Sequence, residues 1–311
     1  MKVLLTGASG FVGKAVLKTA QQRGLNIRPV FRSLDSAKGK PEAVLVSGLD
    51  GSTDLSQAVK GVDVVIHAAA RTHIMREEAL DPLAEYRSVN VVGTLNLARQ
   101  AASAGVRRFV FISSVKVNGE TTASGSAFTA KDAPAPGDAY GVSKAEAESQ
   151  LRHVAQETGM ELTIIRPPLI YGPGVKGNFA SLISWVRRGL PLPLGGVYHN
   201  RRSLVSLDNL VDLILVCAEH PKAANQIFLV SDGEDLSTTE LLRRIGRALN
   251  QQARLLWVPA GVISFIAGLL GKKMIAQRLL SSLQVDIGKT CELLDWKPSV
   301  AVDEGLRRAV E

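Results

Sequence analysis

Tyr140 and Lys144 stand four residues apart, a spacing that puts a phenol and an ammonium group on the same face of a helix. A free phenol loses its proton near pH ~10, so Tyr140 can act as a base near neutrality only where positive charge stabilises its phenolate, and Lys144 supplies one such charge. Taken alone, a Tyr-x-x-x-Lys quartet more often just packs an aromatic ring on a helix face. Its surroundings have to decide. Upstream, Thr6-Gly7-Ala8-Ser9-Gly10-Phe11-Val12-Gly13 follows a short apolar run and opens a helical stretch. At that place Gly7 permits a tight turn, Gly10 lets backbone approach a pyrophosphate, and Gly13 lets helix pack closely on strand, which is the physical signature of a dinucleotide site. Roughly twenty residues on, where an acidic side chain would accept the ribose hydroxyls of NAD, the chain has Phe31-Arg32-Ser33, and Arg32 leans the cofactor toward NADP. An arginine there can also stack on adenine or end a strand in solvent.

These groups need a scaffold. Apolar β-rich runs at Val3–Leu5, Ile27–Phe31, Val44–Val46, Val62–Ile66, Phe109–Ile112 and Leu162–Ile165 alternate with helical stretches, which predicts a parallel sheet covered by helices on both faces. Pro29 cannot donate to a ladder, so the second strand is expected to be irregular there. After Arg166-Pro167-Pro168 the pattern changes, with Pro and Gly crowding residues 171–174 and Gly189–Gly196. Leu204–Leu207 and Asn209–Cys217 read as a return to the sheet. The expected architecture is an α/β, Rossmann-type doubly wound parallel sheet with a smaller, interleaved C-terminal substrate lobe. Residues 1–168 plus about 203–231 would form the dinucleotide-binding domain, and about 169–202 plus 232–311 the substrate lobe.

The 311 residues, 46% hydrophobic and 21% charged, suit a globular chain. Lys and Arg give a net charge of +8 but are spread along the chain with no basic run interleaved with aromatics, so phosphates of small ligands are expected as partners and nucleic acid is not. The start of the chain lacks the longer apolar core of an export signal, and Cys217 and Cys291 stand far apart, as in a cytoplasmic protein without disulfides. His67, His73, His153, His199 and His220 show no metal-ligand spacing, and no metal is expected. Leu255–Gly271 is uncharged for 17 residues, short of the ~20 a transmembrane span needs and interrupted by Pro259, Gly261 and Gly268. It reads as a buried strand and helix of the second lobe, with neither a transmembrane span nor peripheral membrane contact expected.

In order along the chain stand Gly7, Gly10 and Gly13; His67-Ala68-Ala69-Ala70; Asn90-Val91-Val92-Gly93-Thr94; Ser113-Ser114; Tyr140-Gly141-Val142-Ser143-Lys144; and Arg166-Pro167 leading to Tyr171-Gly172-Pro173-Gly174. With these motifs the chain resembles, over essentially its whole length, the extended short-chain dehydrogenase/reductases, specifically the nucleotide-sugar epimerase/dehydratase family. The resemblance is nearest to bacterial UDP-N-acetylhexosamine 4-epimerases and 4-keto-6-deoxy sugar 4-reductases. It implies that Tyr140, Lys144 and Ser114 are catalytic, Ser114 holding the sugar oxygen while hydride passes between carbon 4 and a nicotinamide. It places Gly7, Ser9, Gly10, Phe11, Val12, Gly13, Arg32, Leu49, Ala68, Ala69, Ala70 and Pro167 at the cofactor, with Asn90 bracing the active-site backbone. Arg71, Lys116, Asn178, Arg201, Arg202 and Arg278 are placed at the substrate, Arg202 matching the diphosphate position better than Arg201. His67 reads as a core histidine. A homodimer through 82–104 and 139–157 is implied too.

Two departures stand out. Gly48-Leu49-Asp50 replaces the acid-first pair that meets adenine in many relatives, and Val115-Lys116-Val117-Asn118-Gly119 lacks their aromatic. The resemblance therefore implies either epimerisation or net reduction at carbon 4 of a UDP-sugar for surface polysaccharides, with Arg32 tilting toward reduction. An NADP-dependent reductase of an apolar steroid- or flavonoid-type ketone, or a non-catalytic dinucleotide sensor, are the competing readings.

Overall fold

The structure, a computed structural model, describes residues 1–40, 42–72, 81–271 and 273–311. His73 and Lys272 lie outside the described residues. The strands are β1 (Lys2–Thr6), β2 (Asn26–Phe31), β3 (Val44–Leu45), β4 (Val64–His67), β5 (Arg108–Ile112), β6 (Glu161–Arg166), β7 (Leu169–Tyr171), β8 (Arg202–Ser206), β9 (Gln226–Leu229) and β10 (Asp235–Leu236). Seven of them form one parallel sheet in the order β3-β2-β1-β4-β5-β6-β9, a Rossmann-type doubly wound α/β fold. Because a parallel sheet is covered on both faces, its strands are apolar throughout. Val3 and Leu5 face the core under the Phe11–Gln22 and Leu207–Glu219 helices, and Leu4 faces the core under the Thr94–Ser103 and Ala139–Thr158 helices.

β2 is continuous through Pro29, contrary to the expected irregularity. Pro29 is in register with Leu5, and β3 pairs only from Val30 onward, so the side of Pro29 away from β1 has no ladder to disrupt. Residues 202–206 also differ from expectation. They join β7 and β10 in a separate three-stranded sheet, and the chain re-enters the large sheet only at β9. This small sheet and the Gly177–Arg187, Thr238–Ala248 and Val302–Val310 helices enclose a second apolar core around Tyr171, Phe179, Leu242 and Leu306.

The largest departure is the Ala260–Leu269 helix, which buries none of its residues. Only Ile263 on it packs, partly, against the second core, which is already closed by Leu192, Leu194 and Leu255. No helix among the described residues is long and apolar enough to cross a membrane.

Gly13 shows how tightly the first turn is built. A β-carbon there would lie 2.1 Å from the carbonyl oxygen of Gly7 and 2.6 Å from its carbonyl carbon, both backbone atoms that cannot step aside. Gly13→Ala is expected to cost at least about 2 kcal/mol in urea unfolding, at the upper end of overpacking penalties. An unchanged midpoint would show that the helix can move away from β1.

Candidate active site

The order of the sheet reverses between β1 and β4, and at the carboxyl ends of these strands lies a cleft of about 410 Å3. Gly7, Ser9, Gly10, Arg32, Leu49, Ala68, Ala69, Ala70 and Arg71 line it. Gly7 has φ 72° and a β-carbon on it would lie 2.6 Å from the backbone nitrogen of Ala69, so this wall of the cleft is bare backbone. The Phe11–Gln22 helix starts there with no side-chain cap and no acidic residue in its first turn, leaving its N–H groups and positive dipole end for an anion. Phe11 and Val12 pack their side chains partly against the sheet core, so what they can offer a ligand is backbone N–H. Val30, Val46, Thr72 and Val89 also line the cleft and were not singled out; each neighbours a singled-out motif or strand end, the one signal that marked them.

The Asn90 motif joins the cleft to the tyrosine helix. Asn90 is buried in a π-helical turn, Ser88–Gly93. Its Oδ1 accepts from the backbone N–H of Arg71 at 2.8 Å, and its Nδ2 donates to the carbonyl of Arg71 and to Ser143 Oγ, each at 3.0 Å. A β-carbon on Gly93 would lie 2.3 Å from the carbonyl oxygen of Leu49, so glycine there lets Leu49 close on the helix. Asp50 accepts from Ser52 and Thr53 through Oδ1, which ties its side chain to its own turn.

Asp138 caps the Ala139–Thr158 helix by accepting from Gly141 N at 2.8 Å and so sets Tyr140 in its first turn. The Tyr140 ring lies edge-on to Tyr86 at 6.0 Å between centroids, and Tyr86 lies under the guanidinium of Arg71 at 5.7 Å. Tyr86 thus links Tyr140 to Arg71, which lines the cleft; Tyr140 and Lys144 are not themselves among the lining residues. One turn on, Lys144 is buried; its Nζ donates to the carbonyl of Ile112 at 2.8 Å and rests 4.3 Å from the centroid of Phe111. Burial pushes its pKa down to about 7, against a smaller upward pull from Glu148. Burial, then the charges of Asp138 and Tyr86, raise the Tyr140 phenol above its ordinary value.

Of the serine pair, Ser113 turns inward and donates to Glu148 Oε1 at 2.6 Å, which leaves Ser114 as the half-exposed hydroxyl at this end of β5. Pro167 is buried alongside, its carbonyl accepting from Val115 N at 3.0 Å.

The proposed substrate side chains separate. Arg202 is half-buried, donates to the carbonyl of Ser281 at 3.1 Å, and has its pKa lowered by burial; Glu120 raises it and the like charge of Arg278 lowers it. A guanidinium fork suits a diphosphate. Arg201 instead stays on the surface and donates to the carbonyls of Tyr198 and Asn200. Lys116 is also a correction: its ammonium pairs with Glu120 at 3.1 Å and with Asp138, bracing the cap of the tyrosine helix rather than standing open to a substrate. Asn178 is exposed in the first turn of the Gly177–Arg187 helix.

Residues 3–231 match the NAD dependent epimerase/dehydratase family. The chain belongs to that family. It is 48% identical to the UDP-glucose 4-epimerase of Vibrio cholerae, over 99% of this chain and 94% of that protein. It is 30% identical to the N-acetyl-alpha-D-glucosaminyl-diphospho-ditrans,octacis-undecaprenol 4-epimerase of Escherichia coli O157:H7, over 86% of this chain and 77% of that protein. The solved UDP-N-acetylglucosamine 4-epimerase from Bacillus cereus shares the fold, with TM-score 0.81 and 20% identity over 100% of this chain and 98% of that one.

NAD, the cofactor in the family's name, fits the bare glycine wall and the uncapped helix end. The NADP preference read from Arg32 is not supported: the matching family is described as NAD dependent, and Arg32 itself only lies exposed at the rim of the cleft. His67 lies in the core. It is buried, with Thr6 Oγ1 2.7 Å from Nδ1 and Thr94 Oγ1 2.9 Å from Nε2, and its ring stacks on Phe111. Burial, then the charge of Lys144, lowers its pKa to about 3. Below its ordinary pKa near ~6.5 the unfolded chain takes a proton that the folded chain refuses, so stability is full above that pH and falls as pH drops toward 3. Urea midpoints should show a loss of about 2 kcal/mol by pH 5 that His67→Asn abolishes; an equal slope in the variant would assign the acid sensitivity elsewhere.

Proposed function

We propose that the protein is an NAD-dependent UDP-sugar 4-epimerase, acting on a UDP-hexose or UDP-N-acetylhexosamine in the synthesis of cell-surface polysaccharide. The observation that carries the reading is Tyr140, held through Tyr86 against the cleft-lining Arg71 with Lys144 one turn behind. The 48% identity to a UDP-glucose 4-epimerase favours epimerisation over the net reduction suggested by Arg32. Arg202, half-buried beside Ser281, favours a diphosphate over an apolar ketone.

When bound, NAD supplies a reversible hydride acceptor. Tyr140 takes the proton of the sugar 4-hydroxyl and returns it, Ser114 holds that oxygen, and the Lys144 ammonium offsets the charge on the phenolate. Arg202 and Arg278 anchor the diphosphate, and Asn178, at a helix start beside the Tyr171 turn, contacts the nucleotide. We also assign pairing of two chains to the surface of residues 82–103 and 139–158, whose helices lie side by side and are tied by the Arg87–Glu146 ion pair.

The test is incubation of purified protein with UDP-glucose and UDP-N-acetylglucosamine, with no cofactor added. The expected result is the 4-epimer of one or both by proton NMR, with NAD recovered from the denatured enzyme. Product formed only with stoichiometric consumption of NADPH would overturn epimerisation. UDP at millimolar concentration should raise the melting temperature through binding to the folded state; no shift would favour the apolar substrate.

A further inference from the structure

We propose that the face formed by Leu256, Trp257, Val262, Phe265, Ile266 and Leu269 docks the protein on the surface of an anionic lipid bilayer. The Ala260–Leu269 helix carries no charged residue. A helix that is apolar nearly all round belongs in a core or against lipid. Here Trp257 and Phe265 are each 68% exposed, Leu269 73% and Leu256 54%. Ten residues make a helix about 15 Å long, half the hydrocarbon thickness, so it suits lying in the plane of a membrane and not crossing it. Trp257 has the apolar ring and single polar edge that favour the headgroup boundary.

The charge around this face selects the occupant. Residues 162–207 contain six Lys and Arg and no Asp or Glu, and residues 241–285 contain seven and again none, although Arg166 is buried against Glu148 and Arg244 and Arg247 pair with acids outside these stretches. Together these two stretches exceed the chain's net charge of +8, so the remainder is net negative, and the basic residues are far less evenly spread than they first look. The fold joins the stretches at this face, where Leu192 N donates to the carbonyl of Arg254 at 2.8 Å and Gly195 N to that of Leu256 at 2.9 Å. Arg188 and Arg254 are exposed and make no ion pair with a described residue, and Lys272-Lys273 follow the helix in sequence. A second copy docked by the same face would set these basic groups against each other, whereas anionic headgroups attract each of them by about 1 kcal/mol. The apolar helix packs on the Lys273–Leu280 helix that carries Arg278, so docking would engage the same lobe as the proposed diphosphate site.

The full-length protein is sedimented with vesicles of phosphatidylethanolamine and phosphatidylglycerol, and with vesicles of phosphatidylcholine alone. Binding to the first at least about 10-fold stronger than to the second, weakened at about 0.5 M salt, is expected. Phe265→Glu should abolish sedimentation while leaving turnover in free solution unchanged. Arg254→Glu, which leaves the helix intact, should weaken binding about 10-fold. Three results would each overturn the proposal: no sedimentation of wild type with anionic vesicles, wild-type sedimentation of both variants, or a lipid-free dimer that Phe265→Glu converts to monomer by light scattering. The last would make the face a contact between two copies.

Discussion

Replacing Tyr140 by phenylalanine is expected to lower kcat for 4-epimerisation at least ~100-fold, the lower end of what a positioned proton-transfer group contributes. The ring would keep its edge contact with Tyr86 and its place one turn before Lys144, so fold and cofactor site lose nothing but a hydroxyl. The environment explains why this one group matters. Burial raises the phenol and lowers the Lys144 ammonium to about 7, so each charge is penalised singly while a phenolate and an ammonium formed together offset one another. Lys144 gives one of its three donors to Ile112 and rests against the Phe111 ring. Steady-state kinetics, with bound NAD and melting temperature measured on the same sample, separate loss of chemistry from loss of structure. Wild-type turnover in the variant would remove Tyr140 from the mechanism.

Glu148→Ala is expected to be the most destabilising of the substitutions considered, by about 3–5 kcal/mol in urea unfolding. Glu148 and Arg166 are each 1% exposed. The carboxylate accepts from Arg166 Nε at 2.9 Å, Arg166 Nη2 at 2.6 Å and Ser113 Oγ at 2.6 Å, and Arg166 reaches on to Asn118 at 3.0 Å. Deleting the acid strands a buried guanidinium. It also removes a group that pulls the Lys144 pKa upward, so residual activity should fall off at lower pH than in wild type. Arg152→Ala, which breaks only the solvent-facing arm of the same carboxylate at 3.2 Å, should cost under about 1 kcal/mol. Similar costs for the two variants would show that the buried pair is not what holds β5, β6 and the tyrosine helix together.

Much of the site could be read along the chain, because it depends on local steric and dihedral rules. Gly7 and Gly13 are glycines because backbone atoms of residues 7, 68 and 69 occupy the space of a side chain, and such a requirement leaves a residue type at a fixed spacing. The strands show as apolar runs because both faces of the sheet are covered. The four-residue step from Tyr140 to Lys144 needed only the helix repeat.

What the chain alone left open depends on partners brought together from far along it. Ser113 and Ser114 are chemically alike, and only Glu148, 35 residues away from the first, turns one of them inward. Arg201 and Arg202 are told apart by the carbonyl of Ser281, and what Lys116 does is set by Glu120 and Asp138, which take its ammonium. β8 looked like any other apolar strand, yet its register with β7 and β10 assigns it to the smaller sheet. Leu255–Gly271 departs from the sequence expectation for a related reason. Hydrophobicity states that a segment leaves water, but whether a core, a second chain or a bilayer receives it is decided by which surface the folded lobe still has to cover.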